Sequence, residues 1–199
     1  MQRRMPWDYC TPGICDELFE RTEKVPITKE DIRALVISKL RLKEGASVID
    51  VGCGSGSITV ELCLQTRGGT IYAIDLDQEA IKLTTKNLEK FKVHAEIINS
   101  KAQDILQYLP CVDAVVIGGT LGNTEEIMRL AIERLKSGGR LVINTILIET
   151  MYKAITTINE TELEEIDITQ VTIAKSRKVM TGTMMIARNP VLIISATKR

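Results

Sequence analysis

Three glycines on alternate positions, with an acid before them and another well after, carry the first recognisable chemistry in this chain. Asp50-Val51-Gly52-Cys53-Gly54-Ser55-Gly56 follows the apolar pair Val48-Ile49 and precedes the apolar segment Ile58–Leu64. This is the pattern of a buried strand that stops at a tight turn, with a helix starting just beyond. Glycine there permits positive φ at no steric cost and lets a small ligand approach the backbone closely. The helix start adds free N–H groups for an anionic part of that ligand. The spacing narrows the choice. A dinucleotide fingerprint, G-x-G-x-x-G, would place glycine at position 57, where Ser57 stands. Asp75 lies 19 residues after Gly56, at the end of the next apolar stretch, where a carboxylate can accept both hydroxyls of a ribose.

Positioning those residues requires alternating strands and helices. Thr28, after Pro26-Ile27, reads as the N-cap of a helix with Asp31 at the capping-box position. Ile32, Leu35, Val36 and Leu40 give that helix one apolar face, and Gly45 stops it. Val48–Val51 is the first strand, with Ile58–Leu64 in the crossover helix. Thr70–Asp75 is the second strand, and Asp77 caps a helix with Ile81, Thr84, Leu88 and Phe91 inward. Val93–Asn99 is the third strand. After a short helical stretch over Ala102–Tyr108, Val112–Ile117 is a continuous apolar run, as in a strand buried on both faces. A helix from about Thr124 closes at Gly138-Gly139, and Leu141–Ile146 is the fifth strand. In the tail, Ile166, Ile168, Val171 and Ile173 and the run Val191–Ile194 flank a polar segment, Lys175–Arg188, without an obvious long helix. The expectation is an α/β fold: a doubly wound, Rossmann-like seven-stranded sheet, mostly parallel, with an antiparallel strand pair near the C-terminus. Its ligands belong at the carboxyl ends of the strands. Residues 1–199 read as one domain, with 1–26 as an N-terminal arm.

Composition bounds the partners. The 26 basic and 26 acidic side chains cancel, and aromatics are 4% of the 199 residues, which disfavours nucleic acid and base-stacking platforms. No apolar run reaches the ~20 residues that span a bilayer, and the N-terminus lacks the apolar core of a secretion signal. The cysteines, Cys10, Cys15, Cys53, Cys63 and Cys111, have no C-x-x-C spacing, and His94 is the single histidine. That predicts reduced thiols, no metal site and a cytoplasmic location.

Asp50–Gly56 together with Ala73-Ile74-Asp75 resembles motifs one and two of the class I S-adenosylmethionine-dependent methyltransferases. The resemblance implies S-adenosyl-L-methionine as methyl-donor cosubstrate. It places Asp50, Gly52, Cys53, Gly54, Ser55 and Gly56 around the methionine part, Asp75 on the ribose and the region after strand three at the adenine. Many members carry an acid where Lys101 stands. Lysine has donors only, so the backbone N–H of Ala102 is the expected adenine contact and Lys101 is not.

Two further regions resemble a narrower family. Gly13–Phe19 and Pro26–Leu35, with Ala114–Gly119, Thr145–Thr150 and Gly182–Val191, look like the decarboxylating precorrin methyltransferases of cobalamin biosynthesis. The likeness runs from about residue 13 to about 195. Such enzymes methylate carbon 15 of cobalt-precorrin-6B and remove carbon dioxide from an acetate side chain. The resemblance also puts Thr28 near the cofactor and implies a homotetramer. Cys15 stands where relatives often have proline, and it receives no role. A reduced tetrapyrrole brings its own carbon nucleophile, so no strong base is expected. Glu149 and Arg188 are the candidates for a catalytic role. Arg188, Lys175, Arg177, Lys178 and Lys29 are candidates for holding substrate carboxylates.

The expected partner is therefore a tetrapyrrole, with neither nucleic acid nor membrane. The competing readings are a tRNA or protein methyltransferase, a non-catalytic S-adenosylmethionine-binding module, and a dehydrogenase with NAD(H) at the turn. Against the first of these, Ile117-Gly118-Gly119 stands where an Asn/Asp-Pro-Pro-aromatic motif would follow strand four.

Overall fold

The computed structural model describes residues 6–199, so the first five positions of the arm lie outside the described residues. Five strands alternate with helices: β1 (Val48–Val51), β2 (Ile71–Asp75), β3 (Glu96–Asn99), β4 (Val112–Ile117) and β5 (Leu135–Thr145). Between and around them lie α1 (Glu30–Leu40), α2 (Ser57–Thr66), α3 (Gln78–Phe91), α4 (Ala102–Ile105), α5 (Thr124–Arg134) and α6 (Ile148–Asn159). The tail adds β6 (Leu163–Val171), β7 (Ala174–Val179), β8 (Gly182–Ala187) and β9 (Val191–Lys198). Seven strands form one sheet in the order β3-β2-β1-β4-β5-β9-β6. β1 to β5 pair in parallel, and β9 runs antiparallel to both β5 and β6. The expected doubly wound sheet with an antiparallel element near the C-terminus is borne out.

Period-two geometry divides the core between the two faces of this sheet. Val48, Val116 and Val142 face one apolar layer with Val36, Leu40 and Phe91. Their neighbours Ile49, Val115 and Leu141 face the other, with Met128, Ala131 and Ile158. Burial on both sides is why these strands lack polar alternation. The order reverses between β1 and β4, and the loops leaving those two strands frame the crevice that holds ligands in such folds.

Five details depart from the sequence reading. Lys29, not Thr28, is the N-cap of α1, and it makes no side-chain cap; the Thr28 carbonyl instead accepts from the buried Arg33 guanidinium. α1 ends at Leu40, with Arg41 left-handed, before Gly45 is reached. Gly138-Gly139 does not end α5, which stops at Arg134. The pair lies in a bulge of β5, where the partner of β4 jumps from Leu135 to Arg140. Finally, α6 occupies a stretch with no predicted element, and the polar segment of the tail is a separate two-stranded ribbon, β7–β8. Most of that ribbon is exposed on both faces, so no hydrophobic alternation advertised it.

Candidate active site

The glycine turn is set by contact between backbones. Gly52 has φ +72°, and a Cβ there would lie 2.8 Å from the Gly119 nitrogen, so the turn after β1 rests directly on the loop after β4. At Gly56, φ +74°, a Cβ would lie 2.8 Å from Thr84 of α3, so only glycine fits where α2 begins. The turn is tied to the next strand by Gly52 N and Cys53 N, which donate to the Ile74 carbonyl at 2.8 and 3.1 Å. Asp75 then bridges two loops: its Oδ2 accepts from Gly54 N at 2.9 Å and its Oδ1 from Asp77 N at 2.9 Å. Each carboxylate oxygen keeps a further lone pair for a ligand hydroxyl.

Asp50 lies behind the turn and not in the open crevice. It is fully buried, its Oδ2 accepts from the Thr59 hydroxyl at 2.6 Å, and its Oδ1 has no partner. Burial pushes its carboxyl up to about 7; the Thr59 hydrogen bond opposes this and the Asp75 charge adds to it. The native carboxyl therefore binds its proton more tightly than in the unfolded chain. Its contribution to stability is complete below about pH 4 and is lost as pH rises through about 7. Asp50→Asn is expected to match the parent near pH 4 and to exceed it by up to ~4 kcal/mol above pH 7. Urea unfolding across that range checks this, and a gap that does not grow with pH sinks it.

A cleft of about 770 Å³ opens at the carboxyl ends of β1, β4 and β5, between the start of α1 and the root of the β7–β8 ribbon. Thr28, Gly52, Cys53, Gly54 and Arg188 line it. Ser55 and Gly56 are buried within the turn, and the Ser55 hydroxyl is left without a partner. Asp75 and Ala102, the first residue of α4, stand beyond the cleft wall at the ends of β2 and β3. Glu149 is not brought to the site. It is exposed in the first turn of α6, while Leu147, the extended N-cap residue, and Thr150 line the cleft instead.

The cations sort themselves by partner. Lys175 pairs with Glu30 and, at 2.9 Å, with Asp31. Lys29 lies 3.7 Å from Asp16. Arg177 and Lys178 are exposed on the ribbon. Arg188 has no ion-pair partner among the described residues, and its Nη1 is buried with no acceptor. Two features escaped the sequence reading. Asn144, at the carboxyl end of β5, lines the cleft with a buried, unpartnered Oδ1; the signal was a lone amide after the apolar run Leu141-Val142-Ile143. The rim is apolar and open to solvent, with Leu121, Ile146 and Leu147 exposed at 83%, 60% and 57%, as suits a large flat ligand. Among the described residues no helix is long and apolar enough to cross a membrane, and no cluster has the ligands for a metal ion.

The precorrin methyltransferase domain family matches residues 17–198. A relative from Saccharolobus solfataricus, named a "probable cobalt-precorrin-6B C(15)-methyltransferase (decarboxylating)", is 46% identical over 98% of this chain and 100% of its own. A solved precorrin-6y C5,15-methyltransferase from Geobacter metallireducens superposes with a TM-score of 0.88 at 33% identity, over 96% of this chain and 100% of that one. A precorrin 8W decarboxylase from Methanobacterium thermoautotrophicum gives 0.87 at 34%, over 92% and 98%.

Proposed function

The chain belongs to the precorrin methyltransferase family, and from that premise we propose that it methylates carbon 15 of cobalt-precorrin-6B with loss of carbon dioxide from an acetate side chain. The observation that carries the reading is the cleft itself: an apolar-rimmed space holding, among the described residues, one unpaired cation, beside a glycine turn with no room for a Cβ at Gly52 or Gly56. The turn and Asp75 fit S-adenosyl-L-methionine. Asp75 has acceptor capacity for the ribose, Ala102 stands at the head of α4 where helix N–H groups lack partners, and glycine at position 52 lets the turn rest on the Gly119 backbone at the mouth of the cleft. When bound, that cosubstrate supplies a methyl already activated on a sulfonium. The protein's task is then position. The Gly52–Gly56 turn and Thr28 fix one side of the cleft, the apolar rim holds the ring and excludes water, and no side chain need act as a strong base. Placement of this kind contributes up to ~7–11 kcal/mol in favourable cases.

Mass spectrometry of cobalt-precorrin-6B incubated with the full chain and S-adenosylmethionine tests the reading. A product that has gained a methyl and lost carbon dioxide is expected; an unchanged mass sinks it. Asp75→Ala is expected to weaken S-adenosylmethionine binding ~10–100-fold in calorimetry, the worth of a charge-assisted hydrogen-bond pair. An unaltered affinity removes Asp75 from the site.

A homotetramer in the cytoplasm belongs to the same reading. Its support is the ribbon, which carries Val179, Met180, Met184 and Met185 into solvent, together with free thiols at all five cysteines. Sedimentation velocity checks the assembly, and a species of 22.1 kDa excludes it.

A further inference from the structure

Arg188 is the feature of the cleft that its surroundings leave unexplained. Of the two cations lining the cleft among the described residues, Lys29 faces Asp16, whereas Arg188 faces no carboxylate. Its Nη1 is shut off from solvent without an acceptor. An unbonded guanidinium nitrogen in such a place is costly, and an anion would relieve it. The backbone also holds the residue in place. Arg188 N donates to the Ile173 carbonyl at 2.9 Å, closing the root of the ribbon, and Lys175 on the same ribbon is pinned to Asp31 of α1. The walls nearby are of another kind: Ile32, Ile117, Ile143, Val171 and Ile173 line the same space.

Resting on the function proposed above, we infer that Arg188 binds a carboxylate that the macrocycle keeps, while the carboxylate that departs lies against the apolar wall. In the decarboxylation the bond from the side-chain methylene to the carboxylate carbon breaks. Its electron pair passes into the conjugated imine of the ring, carbon dioxide leaves, and a proton from water completes the methyl group left behind. Negative charge thus moves out of the carboxylate as the reaction proceeds. A guanidinium paired with that carboxylate would stabilise the reactant more than the transition state and slow the step. An apolar wall does the reverse, because it withholds hydration from the reactant carboxylate. Arg188 therefore serves binding and orientation. Asn144, whose buried Oδ1 also lacks a partner, gives the same cleft a neutral polar contact for the ring.

The test uses the full chain, S-adenosylmethionine and cobalt-precorrin-6B. Arg188→Gln is expected to raise KM for the tetrapyrrole ~10–100-fold, with S-adenosylmethionine affinity within about twofold of the parent and each methylated product molecule still short of one carbon dioxide. Arg188→Lys, which keeps the charge and guards against a folding artefact, is expected to recover part of the KM. The inference is overturned if Arg188→Gln accumulates product that is methylated but not decarboxylated, since Arg188 then acts on the departing carboxylate. It is equally overturned if KM does not move. A parent protein that leaves the tetrapyrrole unchanged defeats the proposed function itself, and that outcome is read before any variant is made.

Discussion

Gly52→Ala is expected to weaken S-adenosylmethionine binding by ~100-fold or more while the protein stays folded. Position 52 combines two demands. Its φ of +72° costs a side-chain-bearing residue ~1–2 kcal/mol. Its Cβ would also lie 2.8 Å from the nitrogen, 2.9 Å from the oxygen and 3.0 Å from the Cα of Gly119. Those atoms are backbone, so no rotamer change relieves the clash, and the two loops that frame the crevice must separate. Gly45→Ala is the control. It has the same hand of backbone, φ +76°, but nothing within 4 Å of the added carbon, so it should lose only the dihedral cost of ~1–2 kcal/mol and bind the cosubstrate normally. Calorimetric titration of both variants separates crowding from dihedral strain. Parent-like affinity in Gly52→Ala would falsify the assignment of this turn as the cofactor cradle.

Arg33→Met is expected to cost ~3–5 kcal/mol of folding stability, the penalty for stranding buried charges. Arg33 is fully buried in α1, with its guanidinium 4.7 Å from the centre of the Phe19 ring. Its Nε donates to Glu61 Oε1 at 2.6 Å and its Nη1 to Asp16 Oδ1 at 3.3 Å, and it also donates to the Ile14 and Thr28 carbonyls. Glu61 in turn accepts from Gly13 N and Ile14 N, each at 3.0 Å. One guanidinium therefore fastens the N-terminal arm to α2 and fixes Thr28 at the cleft. Methionine is of similar bulk but leaves the buried Glu61 without a counter-charge and Asp16 with only Lys29, at 3.7 Å. Adding Asp16→Asn and Glu61→Gln to Arg33→Met should recover much of the loss, because neutral amides need no counter-charge. Urea midpoints at constant m-value measure both effects. A loss under 1 kcal/mol in Arg33→Met would mean that the network contributes little.

What the sequence revealed of this site depended on how local the signal was. Val48–Val51 with its glycines, Val112–Ile117, and Asp77, whose side chain accepts from Glu79 N at 2.8 Å, were legible because neighbours in the chain determine them. Arg33, Glu61 and Asp16 were not. They are charged residues in ordinary helical or loop surroundings, and their burial follows from partners 17 to 47 residues away. Thr28 looked like a helix cap for the same reason: the Pro26-Ile27-Thr28 pattern is local, whereas the claim of Arg33 on its carbonyl is tertiary. Glu149, a candidate for a catalytic role by sequence, is exposed in the first turn of the unpredicted helix α6 and does not line the cleft. Of the five expected carboxylate-binding cations only Arg188 both lines the cleft and lacks an acidic partner among the described residues; for Lys175 the distinction is made by Glu30 and Asp31, from the other end of the sequence.

The place of β9 bears on how the protein is made. It is the last strand of the described chain, yet it lies inside the sheet between β5 and β6, and β6 has no other neighbour there. Synthesis runs from the N-terminus at ~5–20 residues per second. The glycine turn and β1 to β5 can therefore be assembled while β6 still has nothing to pair with. The wall of the cleft that carries Arg188 closes only once Val191–Lys198 has emerged and inserted. For the time between, the nascent chain exposes the open edge of β5, an unpaired strand next to apolar residues. Pairing of β9 with β5 is thus the step that ends this vulnerability.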